Sequence, residues 1–259
     1  MSSQGNQKSS KLLTISNSKA LFRFHDELND FLPGHYKNLQ IQYHFDGKPS
    51  IKDSIEAIGV PHTEVDLIVV NRNSVDFDYH LQDGDEALVY PVFNEVGISN
   101  KVKLKEKPEP VFIVDVNLGK LVKLLRMCGF DAIYSNKYTD HDIAELANGE
   151  KRIVLTRDRR LLKHGTITHG YWVRSTDPDQ QIYEVIRRFD LFPIVKPFNR
   201  CLECNGLIKP VEKDEILDQL EPKTIQYFNE FYQCLVCKKI YWKGSHYEHM
   251  SKFLDNIKS

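Results

Sequence analysis

The chain has 259 residues, 41% hydrophobic and 27% charged, so it is long enough to bury a full core and to hold two domains. We expect a soluble, cytoplasmic protein, because residues 1–10 are polar and no segment has the length and apolarity of a signal peptide or membrane anchor. Residues 1–100 carry 8 Lys and Arg against 14 Asp and Glu, and residues 101–259 carry 27 against 22, so a polyanion is expected to meet the back half.

The front of the chain predicts a polar tail followed by a small α+β domain. Residues 1–18 have little to bury and are predicted to be disordered. Residues 19–93 alternate as strands around one short amphipathic helix, "IKDSIEAIGV", that ends at Gly59 and Pro61. Two strands, one helix and further strands are typical of a ubiquitin-like β-grasp fold. Its acidity favours a protein-docking role.

The pattern changes after residues 94–110, which are charged, aperiodic and predicted to be a linker. From residue 111, strand-like and helix-like segments alternate, with helices expected at 118–128, about 140–147 and 178–189. Gly129 is predicted to stop the first of these helices, and "NG" the second. Alternating strands and helices predict a parallel sheet covered on both faces.

The first strand of this region ends in a lone acid, Asp115. Asn117 directly precedes the periodic apolar residues of the following helix, so Asn117 is the better N-cap. Asp115 is therefore left at the carboxyl end of a strand, where open α/β sheets place their chemistry. The exposed face of the following helix is expected to carry Lys120, Lys123 and Arg126.

Further acids follow the next strands in the same way. Asp140 and Asp142 open the second helix, and Asp158 follows the third strand. Because the carboxyl ends of adjacent parallel strands lie together, these acids are predicted to converge with Asp115. Helix capping is the alternative for Asp140 and Asp158. Asp177 precedes Pro178 as an N-cap precedes a first helical residue, so it is left out of the site.

Converging carboxylates repel one another, so such a set is normally neutralised by a bound metal. Oxygen ligands with little else nearby favour Mg²⁺ or Mn²⁺. Flanking basic residues are candidates to bind phosphates, with a solvated helix face as the alternative: Arg126, Arg157, Arg159, Arg160 and Lys163. Acids, a metal and a basic rim are typical of enzymes that cleave phosphodiester bonds.

Paired cysteines give the strongest single motif. Cys201 and Cys204 form one C-x-x-C pair, and Cys234 and Cys237 form a second after 29 intervening residues. Two such pairs in a reducing compartment predict a closed, structural Cys₄ zinc site. An inserted helix is expected around "EILDQL". The following residues, including Trp242 and Lys243, suit base stacking and phosphate contact, with packing of the module as the alternative.

These blocks together resemble the Mut-seven C-terminal ribonuclease family, a branch of the PIN-domain nucleases. The resemblance lies in "FIVDVNLGKLVKLLRMCGF", "DHDIAELA", "RIVLTRDRRLL", "RCLECNG" and "YWKGSHYEHM", and the segment 19–93 is similar to the ubiquitin-like module that often precedes this domain. It implies a PIN-like domain at 111–195, a zinc ribbon at 196–259 and metal-dependent RNA cleavage. Asp115, Asp142 or Asp140, and Asp158 occupy the acidic motif positions.

The sequence therefore predicts a metal-dependent ribonuclease in which Asp115 and Asp158 bind Mg²⁺ or Mn²⁺ and Asp140 or Asp142 completes the site. Zinc is the expected structural cofactor and RNA the expected partner. The alternative is a non-catalytic RNA-binding adaptor whose acids only cap helices. The residues expected to contact RNA are Lys120, Lys123, Arg126, Arg157, Arg159, Arg160 and Lys243.

Overall fold

A computed structural model describes residues 18–91 and 102–258. Residues 1–17 of the predicted tail 1–18 and residues 94–101 of the predicted linker 94–110 lie outside the described residues. The chain divides into two compact units, residues 1–104 and 105–259, which we call the N-terminal and C-terminal units. Across the residues that are described, no helix combines the length and apolarity needed to cross a membrane.

The N-terminal unit is a five-stranded mixed sheet with one α-helix. Its elements are β1 (Ser18–Phe24), β2 (Gln40–Phe45), α1 (Ile51–Ile58), β3 (Leu67–Val70), β4 (Asn73–Val75) and β5 (Glu86–Tyr90), with the sheet order β2-β1-β5-β3-β4. β1 and β5 are parallel and the other pairs are antiparallel. Ser50 caps α1, and Gly59 ends it at a φ of 131°, as the sequence predicted.

The C-terminal unit begins with a four-stranded parallel sheet. Its elements are β6 (Val111–Val114), α2 (Gly119–Met127), β7 (Asp131–Ile133), α3 (Asp140–Gly149), β8 (Ile153–Thr156), β9 (Gly170–Trp172) and α4 (Pro178–Arg188). The strand order is β7-β6-β8-β9. β6 and β8 are therefore neighbours although β7 lies between them in sequence.

Helices cover both faces of this sheet. Alternate residues of β6 point to opposite faces, and each set packs against different helices. Phe112 and Val114 pack with the apolar faces of α2 and α4, whereas Ile113 packs with α3. The predicted parallel α/β sheet is thus confirmed. One local expectation is wrong: α3 continues through Asn148 and Gly149. A short 3-10 helix, Leu161–Lys163, follows Asp158.

The remaining chain, residues 196–258, is called the cysteine module. It contains β10 (Ile208–Val211), α5 (Pro222–Tyr227), β11 (Phe231–Cys234), β12 (Ile240–Trp242) and α6 (Ser245–Lys258), with an antiparallel sheet of order β10-β11-β12. The helix expected at "EILDQL" is instead two 3-10 turns, Lys213–Glu215 and Leu217–Gln219.

The cysteine module is bonded to the amino edge of the parallel sheet. Asp131, the first residue of β7, accepts hydrogen bonds from Arg152 at 2.6 Å and Asn205 at 3.0 Å and lies 3.2 Å from Arg200. Burial opposes ionisation of Asp131, but the bonds from Arg152 and Asn205 outweigh it and lower the pKa of this carboxyl. Gly129 adopts a φ of 95° at the end of α2, where a Cβ would lie 2.1 Å from the Lys196 carbonyl oxygen, so only glycine fits.

Arg126 lies inside this junction, and its predicted position on an exposed helix face is wrong. The residue is 6% exposed. Its guanidinium donates to the carbonyl oxygens of Ala132, Leu202 and Glu203 at 2.7–3.0 Å. The sequence does not distinguish a buried Arg126 from an exposed one, because two of the three carbonyl oxygens that it bonds lie 76 and 77 residues away. Arg126 is a structural link and is not carried into the RNA-binding set.

Arg126→Ala is expected to lower the free energy of unfolding by about 2–4 kcal/mol, because three carbonyl oxygens lose their donor and the arginine stem leaves a void. Lys123→Ala is the matched control, since Lys123 is an exposed cation one turn away on the same helix, and it should change stability by less than about 0.5 kcal/mol. Urea denaturation measures both. Equal losses for the two variants would contradict the structural role of Arg126.

Candidate functional site

Asp115 lies directly after β6, at the carboxyl edge of the parallel sheet. It is 5% exposed, and its Oδ2 accepts a hydrogen bond from the Thr156 hydroxyl at 2.8 Å. Asp115 occupies the N-cap position of the 3-10 turn Val116–Leu118 but makes no side-chain capping bond. Asn117 does not cap α2 as predicted, because this turn precedes the helix. Its amide lies 3.4 Å from Asp115 Oδ2 instead.

Thr156, the last residue of β8, connects Asp115 to Asp158. The Thr156 hydroxyl donates to Asp115 and accepts from the Asp158 backbone N–H at 2.8 Å. The side chain is fully buried. One hydroxyl therefore fixes both the carboxylate that follows β6 and the backbone that follows β8, at the point where the order of the strands reverses.

Asp158 is held by a surface ion pair with Arg160. The Arg160 guanidinium lies 3.0 Å from Asp158 Oδ2, and the Arg160 backbone N–H donates to Oδ1 at 2.8 Å. The side-chain bond from Arg160 is the largest cause that lowers the pKa of Asp158. The pKa of Arg160 is raised by the same bond, and the negative charge of Asp140 adds to this increase. Asp140 therefore acts on the same guanidinium as Asp158.

Asp142 and Asp177 are occupied as helix caps. Asp142 Oδ2 accepts from the Thr139 N–H and hydroxyl, both at 2.8 Å, and Thr139 caps α3 in return. These bonds lower the pKa of Asp142. Asp177 accepts from the N–H groups of Asp179 and Gln180 at the start of α4, as predicted. Asp142 is thus part of a capping box, and Asp177 is the N-cap that the sequence predicted.

A cleft of about 550 Å³ opens at Asp158 and is lined by Asn117, Arg157, Asp158, Thr176 and Gln181, so Asp158 is the one predicted site acid in its lining. Two of these residues hold its wall, which is the loop after β9. Arg157 donates to the carbonyl oxygens of Val173, Arg174 and Ser175, and Gln181 donates to Ser175 at 3.0 Å. The cleft is within the 300–1,000 Å³ range of small-molecule sites.

The predicted convergence of three carboxylates is not seen. Among the described residues, the one group of three or more possible ligands close enough to hold a metal is the cysteine set. The physical reason is local: Asp142 turns back to cap its own helix, and Asp158 turns to Arg160. Asp115, Asp140 and Asp158 share one edge of the sheet, and their roles remain predictions.

The basic residues predicted to contact RNA have different surroundings. Lys120 and Lys123 are exposed on α2, and Arg160 is 90% exposed at its side chain. Arg159 stacks on Trp172 with its guanidinium carbon 3.7 Å from the ring centroid, and Lys243 pairs with Glu230 at 2.6 Å. Arg157 is half-buried against backbone carbonyls, so its charge reaches the cleft from a fixed position.

The cysteine set has the geometry of a metal site. The Sγ atoms of Cys201 and Cys237 are 3.6 Å apart, and those of Cys204 and Cys234 are 3.4 Å apart. All four lie within 4.8 Å of one another. A disulfide requires about 2.05 Å, whereas a tetrahedral ion with sulfur ligands at about 2.3 Å separates the sulfurs by about 3.8 Å. The four cysteines are close enough to hold a metal such as zinc.

Tyr241 contacts the cysteine set at Cys201. Its hydroxyl lies 3.0 Å from Cys201 Sγ and accepts the Leu202 N–H at 3.2 Å. Burial raises the pKa of Cys201, but the bonds from Tyr241 and from the N–H groups of Cys204 and Glu203 outweigh it and lower the pKa to about 6. Hydrogen bonds that stabilise a thiolate favour a metal ligand.

The C-terminal unit thus consists of a parallel α/β sheet with a polar cleft at its carboxyl edge and a module with four clustered cysteines. It follows the β-rich N-terminal unit in the sequence. The chain matches the Mut7-C RNAse domain over residues 110–254 and the Mut7-C ubiquitin domain over residues 17–97. It belongs to the Mut7-C RNAse domain family, as the resemblance indicated. No curated protein and no solved structure matches it.

Sequence reasoning missed two residues of the candidate site. Thr156 was signalled by its place at the end of an apolar strand two residues before Asp158, where its hydroxyl bonds Asp115 after β6 and the N–H of Asp158. Gln181 is buried on α4 and had no signal, since its contact is with the carbonyl oxygen of Ser175 in a loop.

Thr156→Val keeps the shape of the side chain but removes its hydroxyl, so Asp115 loses a donor and the Asp158 N–H loses an acceptor. We expect the free energy of unfolding to fall by about 1–3 kcal/mol. Thr156→Ser, which keeps the hydroxyl, should retain more of the stability. Chemical denaturation of the three proteins tests this. A Val variant as stable as the wild type would mean that the Thr156 hydroxyl does not hold the acids.

Proposed function

We propose that this protein is a metal-dependent ribonuclease that hydrolyses RNA phosphodiester bonds in the cleft beside Asp115, on a PIN-like fold. One observation carries the proposal. Asp115 is a buried carboxylate that makes no side-chain capping bond, and its Oδ2 is bonded by two neutral groups, the Thr156 hydroxyl and the Asn117 amide. Burying a carboxylate without an opposite charge is costly, so this position fits a bound cation.

The groups at this site fit Mg²⁺ or Mn²⁺, because they offer oxygen atoms: the carboxylates of Asp115 and Asp158, the Thr156 hydroxyl and the Asn117 amide. Asp115 and Asp158 would hold the ion. We favour Asp140 over Asp142 as the third acid, because Asp142 is engaged by Thr139 whereas Asp140 acts on the Arg160 that pairs with Asp158. The bound ion would lower the pKa of a water molecule and stabilise charge on the phosphate.

The side chains around the acids would position the substrate. Thr156 keeps the Asp115 carboxylate in one orientation. Arg160 is on the surface, so an RNA phosphate can replace Asp158 as its partner, which would release the Asp158 oxygens toward the cleft. Arg157 would add a fixed positive charge at the wall, and Lys120, Lys123 and Arg159 would contact the RNA backbone around it.

The adaptor alternative requires that the acids only cap helices. This is true of Asp142 and Asp177 but not of Asp115, whose carboxylate is bonded to Thr156 rather than to a helix terminus. The ribonuclease is therefore the better account. A protein partner of the acidic N-terminal unit and a cytoplasmic location remain predictions from the sequence.

We also propose that the cysteine set binds one structural zinc ion as a zinc ribbon, since four thiolate ligands leave no open position for catalysis. Metal analysis should find about one zinc per chain, and Cys204→Ser should reduce it severalfold and lower the thermal stability. Cys128→Ala is the matched control, because Cys128 lies in the apolar core away from the set, and it should keep the zinc. A zinc-free wild type with a folded module would end this proposal.

Asp115→Asn keeps the size of the side chain and removes its charge, so cleavage of labelled single-stranded RNA with Mn²⁺ should fall by about three orders of magnitude. Chelation should abolish the wild-type activity. Asp177→Asn makes the same charge change at a helix cap that asparagine also provides, so its rate should stay within about twofold of the wild type. Cleavage by Asp115→Asn at the wild-type rate would refute the site.

A further inference from the structure

A second cavity lies in the cysteine module, away from the acids. It has a volume of about 800 Å³ and aromatic walls that include Phe228, Tyr232, Trp242 and Tyr247. Trp242 is 38% exposed, and its ring centroid is 6.3 Å from that of Phe228. We call this cavity the aromatic pocket. It is large enough for a nucleotide.

The charges of the aromatic pocket are all positive. Arg200, Lys239 and Lys243 line it, and none of its described lining residues is acidic. Each of these cations has an acidic partner outside the lining: Asp131 lies 3.2 Å from Arg200, Glu203 lies 3.1 Å from Lys239, and Glu230 lies 2.6 Å from Lys243. The side chains of the two lysine pairs are roughly half exposed or more, so an arriving phosphate can compete for the lysines.

The aromatic pocket and the cleft belong to opposite edges of the parallel sheet. The cleft is at the carboxyl ends of β6 and β8, whereas Arg200 reaches Asp131 at the amino end of β7. Helix α2 begins after β6 near the cleft, and Arg126 in its last turn bonds the cysteine module. Nine residues of helix span about 13 Å, which gives the scale of the distance between Asn117, which lines the cleft, and Arg126, which bonds Leu202 of the pocket lining.

We propose that the aromatic pocket binds a base of single-stranded RNA by stacking, at a distance from the bond that is cut. Aromatic faces accept any base, and the flanking cations fit the phosphates on either side of it. Stacked nucleotides advance about 3.4 Å each, so one strand must extend well beyond a dinucleotide to occupy both sites. The substrate class is therefore single-stranded RNA long enough to reach from the cleft to the aromatic pocket.

The binding test uses full-length Asp115→Asn protein, which should not cut its ligand. A fluorescent single-stranded dodecanucleotide is titrated at low salt, and its anisotropy is recorded. Lys243→Glu in this background should weaken binding roughly tenfold. Lys209→Glu is the matched control, because Lys209 is an equally exposed lysine of the module outside the lining of the pocket, and it should change affinity by less than about twofold. Circular dichroism and zinc content verify folding.

Stacking on Trp242 can be measured by tryptophan fluorescence, because the chain contains two tryptophans and one of them can be replaced. In Trp172→Phe protein the tryptophan fluorescence comes from Trp242 alone. The dodecanucleotide should quench this fluorescence, whereas polyglutamate should not. Quenching by RNA supports the proposal. Unquenched Trp242 together with equal affinities of the Lys243 and Lys209 variants overturns it, and equal binding of polyglutamate would identify an acidic protein segment as the occupant instead.

The length requirement rests on the proposed ribonuclease activity, whereas binding does not. The wild-type kcat/KM should rise at least roughly tenfold from a dinucleotide to a dodecanucleotide, and Lys243→Glu should remove most of that gain. A kcat/KM that does not depend on the length of the RNA would overturn the proposed role of the aromatic pocket, but it would not contradict the proposed ribonuclease activity. Trp242 quenching without any cleavage would refute the ribonuclease and support the RNA-binding pocket.

Discussion

The hydrogen bond from the Thr156 hydroxyl to Asp115 is the interaction on which the candidate site depends. It joins the ends of β6 and β8, which are neighbours because β7 pairs on the other side of β6. The loops that follow β6 and β8 therefore separate and leave a crevice at the carboxyl edge. The Asp115 N–H also donates to the Leu155 carbonyl oxygen at 2.9 Å, so backbone pairing and one buried hydroxyl together fix this acid.

A second constraint acts at the opposite edge of the sheet, where buried arginines hold the cysteine module. Arg126 bonds the carbonyl oxygens of Leu202 and Glu203, which lie between the first two cysteines. A metal that orders this loop would therefore also order the partners of α2. The cysteine set and the cleft lie at opposite edges of the sheet, so a metal at the cysteines would stabilise the fold and would not reach the cleft.

Much of this organisation could be predicted from hydrophobic periodicity. Strand-like and helical patterns predicted the sheet of the N-terminal unit, the parallel sheet and its three large helices, and the C-x-x-C spacing predicted the cysteine cluster. The misses concern polar side chains whose partners are distant in sequence. Arg126 looked like a solvated residue on an amphipathic helix, and Asp142 was indistinguishable from a ligand until Thr139 was seen to bind it. Spacing assigns a residue to an edge or a face, but it does not say which of several polar neighbours it meets.

The most direct test of the account is an anomalous difference map from crystals of the wild-type protein soaked in Mn²⁺. We expect a manganese peak coordinated by carboxylate oxygens of Asp115 and Asp158 at the carboxyl edge of the sheet. Zinc at the four cysteines would serve as an internal standard for the anomalous signal. A map with the zinc peak present and no manganese at Asp115 would contradict the proposal that this buried carboxylate holds a catalytic cation.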